Sequence, residues 1–185
     1  MKRAIIGSSV GGIIFFAWQF VSWPMLNLHK AAVRYTSNQA IILGALTANL
    51  PEEGGYMVPG LPETATSADH EQLMKEAQGK PWATIQYHKS NEAATTGAMV
   101  WNMIHSLIVN MITVFLFCWI ISRISDASFR IIFLASLFTG FIVFFNSAYT
   151  VSIWYQWFDI MAYFTDAMVS WALCGLWLGW WFNRK

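Results

Sequence analysis

Few residues in this chain could do chemistry, and most of these lie inside long apolar stretches. Asp159, Tyr163, Asp166 and Ser170 recur at spacings of four, three and four residues. This spacing places them on one narrow face of a helix. His105 lies in an earlier apolar stretch. Carboxylate and imidazole groups within a membrane mark proton or ion pathways, or polar contacts between helices.

Depth along the apolar stretches predicts which of these groups meet. His105 lies about seven residues inside the end of its stretch, and Asp166 about six inside the matching end of its own, so both are about 10 Å below the surface. An ionisable group in hydrocarbon costs about 2.5 kcal/mol or more and therefore needs a partner. We predict a contact between His105 and Asp166, with Asn102, Asn146 and Tyr163 as hydrogen-bonding neighbours.

A purely structural role for this polar cluster is the favoured interpretation, ahead of a proton, ion or small-ligand pathway. Polar contacts between membrane helices contribute only about 0.6 kcal/mol on average. Asp166 also lies near the start of its helix, where the helix dipole favours a carboxylate. A haem needs an axial histidine, and His105 is the one candidate within a span. The remaining histidines (His29, His70, His88) lack the spacing of a zinc site, so no metal or cofactor is expected.

The composition of the chain is that of a membrane protein, so these polar groups are expected to lie within a membrane. Of 185 residues, 56% are hydrophobic and only 11% are charged, whereas soluble domains carry about 25% charged residues. Four apolar runs, at 4–23, 98–121, 131–149 and 160–182, are each about long enough to span a bilayer. The first run resembles a signal peptide in its basic start, but no cleavage site follows it, and we interpret it as an uncleaved span. A net charge of +1 gives no electrostatic case for nucleic acid.

Positive residues predict the orientation of the spans. The bases flanking the short loops lie at the two termini and between spans two and three, whereas the loop at 150–159 has none. Lys30 and Arg34, near the other end of the first span, count mildly against a common side, but they lie in a loop of more than about sixty residues, where the rule weakens. By the positive-inside rule both termini face the cytoplasm. The chain then divides into a first transmembrane helix at 1–26, an extracytoplasmic insert at 27–97, and three further transmembrane helices at 98–185. The predicted fold is a membrane all-α bundle of four helices, N-in and C-in, embedded in a lipid bilayer and carrying a small α+β insert.

Local signals within the insert predict two helices and a strand pair. Ser37 is placed to cap a helix over 38–50, and Thr66 or Ser67 to cap a second helix. Alternating residues at 83–88 have the pattern of a strand, which could pair with residues 55–58. A cap of this size is near the lower limit for a stable core, so we expect it to rest on the helices or on another protein.

Two pairs of glycines have the spacing of close helix packing. Gly7 and Gly11 in the first span, and Gly175 and Gly179 in the fourth, both match G-x-x-x-G. Glycine lets helix backbones approach closely. Packing within the bundle is the favoured explanation, and self-association of the chain is the alternative.

The stretches WQFVSWPMLNLH at 18–29 and GYMVPG at 55–60 give the chain a resemblance to uncharacterised bacterial inner-membrane proteins. Those proteins have four spans and a periplasmic insert after the first helix. The resemblance implies a bacterial inner membrane and supplies neither an activity nor site residues.

Three functions are compatible with these patterns. The first is a non-enzymatic accessory, assembly or small structural subunit of a larger membrane complex, which fits the absence of a complete catalytic motif. The second is an oligomeric channel or transporter whose polar path is lined by Asp166 and His105. The third and least favoured is an enzyme at the outer leaflet that uses His105, Asp159 and Asp166 in acid–base chemistry.

Overall fold

The computed structural model describes residues 1–184 and contains four helices long and apolar enough to cross a membrane. They run from Lys2–Met25, Thr96–Ile121, Phe129–Tyr155 and Ile160–Asn183. The four predicted spans are therefore confirmed as membrane-length helices. The chain divides into a helical bundle, formed by Met1–Arg34 and the residues from Thr95 onward, and an insert of residues Tyr35–Ala94. The compact part of the insert therefore begins at Tyr35, because the residues between the first span and Arg34 belong to the bundle.

The first span changes its helical winding near its end. Helix α1 runs from Lys2–Phe20 and continues as a π-helical turn over Val21–Met25, which contains Pro24. Proline has no backbone N–H to give to the preceding turn, and a wider turn follows in which Leu26 N donates to Val21 O at 2.8 Å. Asn27 then takes a positive φ of 50°, a conformation that asparagine tolerates better than most residues. The chain is thereby turned back toward the bundle instead of leaving it.

The other three spans begin with hydroxyl caps or sharp turns. Helix α4 (Thr96–Ile121) is capped by Thr95, and α5 (Phe129–Val143) by Ser128. A π-helical stretch, Phe144–Tyr149, joins α5 to α6 (Thr150–Tyr155), and Gln156 ends this span with a positive φ of 47°. Helix α7 (Ile160–Asn183) follows. The third span is therefore longer than the predicted 131–149, and the aromatic residues at 154 and 155 belong to the helix and not to the loop.

Small residues set how closely the spans pack. Helix α1 contacts both α4 and α7, and α7 contacts α5. A Cβ on Gly12 would lie 2.8 Å from the backbone N and Cα of Met111, and one on Gly11 would lie 2.7 Å from Val114 Cγ1. These separations leave no room for a side chain between α1 and α4. The buried core around this contact includes Val114, Ile132, Trp171 and Leu178.

The predicted glycine pairs also lie at contacts between spans. Gly7 lies beside Leu178 and Trp181 of α7, and Gly179 beside Phe129 of α5. Gly175 faces Ser136 of α5, whose Oγ stands where a Cβ would be. The structure thus places both pairs within the bundle of a single chain.

The insert contains two helices and a two-stranded antiparallel sheet. Helix α2 runs from Gln39–Asn49 and α3 from Ser67–Ala77. Strand β1 (Gly54–Val58) pairs with β2 (Ala83–Tyr87), with Tyr56 opposite Ile85, so the predicted strand pair is confirmed. The prediction that Ser37 caps the first helix of the insert is wrong. Helix α2 has Asn38 at its N-cap position, without a side-chain cap, and Asn38 N donates to Thr36 Oγ1 instead.

Thr66 caps α3 as predicted, and this cap makes the helix sensitive to acid. Thr66 N donates to Asp69 Oδ2 at 2.7 Å, and Asp69 N donates to Thr66 Oγ1. The backbone hydrogen bond from Thr66, followed by its hydroxyl, lowers the pKa of Asp69. A lowered folded-state pKa means that the cap stabilises α3 fully above the unfolded-state pKa of Asp69, and that this contribution is lost as the pH falls through the folded-state pKa.

We therefore expect amide hydrogen exchange at Thr66 and Asp69 to become faster, relative to residues later in α3, as the pH falls below 4 (after correction for intrinsic exchange rates). Nuclear magnetic resonance of the detergent-solubilised chain measures this. Asp69→Asn should show the faster relative exchange already at neutral pH. Equal protection in the wild type and Asp69→Asn at neutral pH would contradict the role of the carboxylate in the cap.

Candidate functional site

His29 occupies the centre of a buried polar site at the end of the first span. The turn after Met25 brings it back onto α7, and only 1% of the residue is exposed. Its ring stacks on Trp23 with centroids 3.9 Å apart and planes 9° apart. Tyr163 meets the ring edge-on, with centroids 4.8 Å apart. Two aromatic side chains therefore fix the orientation of the imidazole.

Both ring nitrogens of His29 contact carboxylates from the fourth span. Nδ1 lies 2.7 Å from Asp159 Oδ2, and Nε2 lies 2.9 Å from Asp166 Oδ2. The second oxygen of Asp166 accepts a hydrogen bond from Trp18 Nε1–H at 3.0 Å. We call His29, Asp159, Asp166 and Trp18 the His29 clamp. It joins α1, the turn after it, and α7 through side chains alone.

The spacing of the two acids on α7 explains why one imidazole reaches both. Asp159 is the residue just before α7, and Asp166 lies about two turns into the helix on the same face, so about 10 Å of rise separates them. The two nitrogens of an imidazole point to opposite sides of the ring, so a ring lying along this face contacts one carboxylate at each end. Tyr163, midway between the acids, packs against the ring at the same level.

The geometry restricts the chemistry that this histidine can perform. An ionised carboxylate only accepts hydrogen bonds, so the imidazole carries both ring protons unless one carboxyl group is protonated. In either arrangement both nitrogens are engaged within the protein, and no lone pair is free for a substrate. His29 is therefore not placed as a general base or a metal ligand. It is placed to hold the two carboxylates.

The carboxylates of the clamp are largely removed from water, so the loss of a partner would cost free energy. The side chain of Asp159 is 4% exposed and that of Asp166 is 20% exposed. Asp159 precedes the first turn of α7, where the positive end of the helix dipole favours an anion. An imidazolium between two ionised carboxylates would give the clamp a net negative charge, which this dipole and the Trp18 N–H would partly compensate.

The predicted cluster is only partly brought together. Asp159, Tyr163 and Asp166 all contact the His29 ring, and Ser170 is buried further along the same helix. Tyr163 packs against the ring and its hydroxyl makes no hydrogen bond among residues 1–184, unlike the hydrogen-bonding neighbour that was predicted. The predicted contact between His105 and Asp166 is wrong. Its hydrogen bonds go to His29 and Trp18, whereas His105 is exposed on α4 and lies beside Trp101.

The physical reason is that α1 lies against both α4 and α7, so groups of the first span fill the place that His105 was predicted to occupy. Asn146 is exposed on the π-helical stretch after α5, and its side chain makes no hydrogen bond within residues 1–184. Asn102 is exposed on α4 and lines a groove of about 410 Å³ between α1 and α4.

A second polar contact joins α1 to α4 and does not include the clamp. Gln19 Oε1 accepts hydrogen bonds from Ser106 Oγ at 3.0 Å and from Asn110 Nδ2 at 3.3 Å. Trp18 and Gln19 are adjacent in sequence, and their side chains reach different helices. Helix α1 is thus fixed by hydrogen bonds on both sides within its last turns.

The contact of His29 with the two acids was not predicted from the sequence, because His29 falls in the predicted insert. Two signals could have found it. The two acids on α7 require a cation, and His29 is the first basic residue after the first span. Pro24 followed by Asn27 also indicates a turn at that helix end, which would bring the following residues back over the bundle.

No protein-family model, curated protein or solved structure matches the chain. Within residues 1–184, no three metal-ligating side chains come together in the geometry of a metal site.

Proposed function

We propose that this chain is a non-enzymatic accessory or assembly subunit of a larger complex in a bacterial inner membrane. In this proposal both termini are cytoplasmic, and the insert lies on the other side, where it contacts another membrane-protein subunit. The single observation that carries the proposal is the uncovered apolar surface of the insert.

That surface is most evident on α2. The helix contains no charged residue and buries none of its side chains, with Ile41 exposed by 73% and Leu43 by 59%. Among the insert residues whose burial the structure describes, Tyr87 is the one buried large hydrophobic side chain. An uncovered apolar surface of this kind is typical of a protein–protein or membrane contact.

A protein partner fits α2 better than the membrane surface does. Helices that lie on a membrane carry lysine and arginine on their polar face, which attract anionic lipids. Helix α2 has none, and its polar residues are the uncharged Gln39, Thr47 and Asn49. An uncharged helix of this composition is suited to burial against another apolar protein surface.

The His29 clamp supports a structural role over an enzymatic one. Both imidazole nitrogens are engaged by Asp159 and Asp166, and the clamp uses the acidic groups that the fourth span contributes. A channel or transporter that used His105 together with Asp166 would need these two side chains on one path, whereas Asp166 is bound to His29 and Trp18.

Photo-crosslinking in cells tests the proposal. A photoreactive residue at Ile41 should give a discrete crosslink to a different membrane protein, and one at Gln72, an exposed polar position of α3, should not. Ile41→Asp should then remove that partner from the natively purified complex without changing the melting temperature, whereas Gln72→Asp should retain it.

Three results would contradict the proposal. Crosslinks to lipid alone would identify α2 as a membrane-surface helix. Crosslinks only to a second copy of the chain would favour a homo-oligomer, as an oligomeric channel requires. A monomer that is extracted under mild conditions and forms no crosslink would argue against any subunit role.

A further inference from the structure

A cavity at the opposite end of the bundle from the His29 clamp contains two arginines and no acid. It measures about 470 Å³ and lies where α1 begins and where α4 and α7 end. Its lining includes Arg3, Arg123, Ser122, Phe115, Trp119 and Phe182. We propose that this arginine cavity binds the phosphate headgroup of an anionic phospholipid from the adjacent leaflet.

Among residues 1–184, no carboxylate compensates the charges at the cavity. In the part of the chain that the structure describes, the ion pairs are those of His29, so neither Arg3 nor Arg123 has a carboxylate partner. Asp126 is the acid nearest to Arg123 in sequence, and it does not line the cavity. A guanidinium group presents a planar fork of N–H donors that matches phosphate oxygens. Two such groups at one cavity therefore favour a phosphate.

Trp119 holds one of these guanidinium groups in place. The Arg123 guanidinium carbon lies 4.7 Å from the centre of the Trp119 ring. This cation–π contact restricts the long side chain before any ligand binds and leaves its N–H groups available. A donor restricted in this way loses less conformational entropy on binding than a freely moving arginine.

The apolar wall of the cavity distinguishes a lipid from a free phosphate. Phe115 precedes the last residue of α4, Ile121, by six residues, so it lies about 9 Å deeper along the helix than the end near Arg123. Phe182 contributes a second apolar side chain from α7. A charged rim above an apolar wall matches a headgroup joined to acyl chains, and basic pockets between transmembrane helices bind such headgroups.

The test is a binding titration of the full chain in detergent by native mass spectrometry. Phosphatidylglycerol and phosphatidylcholine with the same acyl chains are compared. We expect phosphatidylglycerol to bind on the order of tenfold more tightly, because each arginine near the headgroup adds to the attraction. Arg3→Gln with Arg123→Gln should abolish that preference, and Arg130→Gln should leave it unchanged. Arg130 is an exposed base at the start of α5 outside the cavity lining, and is thus the matched control.

Several outcomes would overturn the assignment. Equal affinity for the two lipids would show that the headgroup charge is not recognised. An equal loss of preference in Arg130→Gln would reduce the effect to general surface charge. Displacement of phosphatidylglycerol by millimolar inorganic phosphate would assign the site to a free anion. Where the double glutamine variant has a lower melting temperature than the wild type, a second double variant is needed. Arg3→Lys with Arg123→Lys, which keeps both charges, should then retain most of the preference for phosphatidylglycerol.

Discussion

Replacing His29 with alanine is expected to destabilise the bundle by about 3 kcal/mol, because it leaves two carboxylates buried without their shared cation. Asp159 and Asp166 are 4% and 20% exposed at their side chains. Removing one partner of a buried ion pair costs about 3–5 kcal/mol, and the partial exposure of Asp166 places the expected effect at the lower end of that range. A thermal melt of the detergent-solubilised protein measures the loss.

A combined variant separates the loss of charge pairing from the loss of packing. His29→Ala with Asp159→Asn and Asp166→Asn removes the unpaired charges and should recover a large part of the melting temperature. Tyr163→Phe keeps the ring that meets His29 and removes only a hydroxyl group without a hydrogen bond among the described residues, so it is expected to be close to neutral. If His29→Ala and the triple variant have the same melting temperature, the pairing of the two carboxylates with His29 contributes nothing to stability.

Replacing Gly12 with alanine is expected to separate α1 from α4, although it adds a single methyl group. A Cβ at this position would lie 2.8 Å from the backbone N and Cα of Met111. Backbone atoms cannot rotate away as a flexible side chain can, so the two helices have to move apart. Overpacking of this kind costs about 1–3 kcal/mol, and occasionally more. We expect a lower melting temperature and weaker hydrogen bonds from Ser106 and Asn110 to Gln19, measured by amide spectra of Gln19.

Gly97→Ala is the matched control for this variant. Gly97 lies in the first turn of α4, and nothing stands within 4 Å of its added Cβ. Alanine has a higher helix propensity than glycine by up to about 1 kcal/mol, so this change should be neutral or stabilising. A Gly12→Ala protein with an unchanged melting temperature that loses only self-association would contradict the packing of α1 on α4 within one chain.

Features carried by continuous patterns could be predicted from the sequence. The four spans are long apolar runs, and burial of their backbone groups in a membrane leaves helix as the available conformation. The strand pair follows from alternation between residues 83 and 87, and the α3 cap from Thr66 followed by Asp69 three residues later. The face of α7 that carries Asp159, Tyr163 and Asp166 follows from helical spacing alone.

Features that depend on how the helices are arranged could not be predicted in this way. His105 and Asp166 lie at the same depth along their spans, which suggests a contact between them. Depth alone does not show which helices are neighbours. Contact of α1 with α7 brings Trp18 to Asp166, and the left-handed conformation of Asn27 helps to bring His29 there. Gly12 was missed for a related reason. The G-x-x-x-G pattern selects Gly7 and Gly11, whereas the closest backbone approach is at the next residue.

The His29 clamp also decides where a mechanical load on the insert would enter the bundle. A pull on Tyr35 would travel along the chain and reach His29 before it reached the end of α1. The hydrogen bonds of His29 to Asp159 and Asp166 transfer part of that force to α7. The hydrogen bonds of the π-helical turn at Val21–Met25 are thereby shielded. Tension would be shared between the first and last spans, and the first span would resist unwinding from the end that leads to the insert.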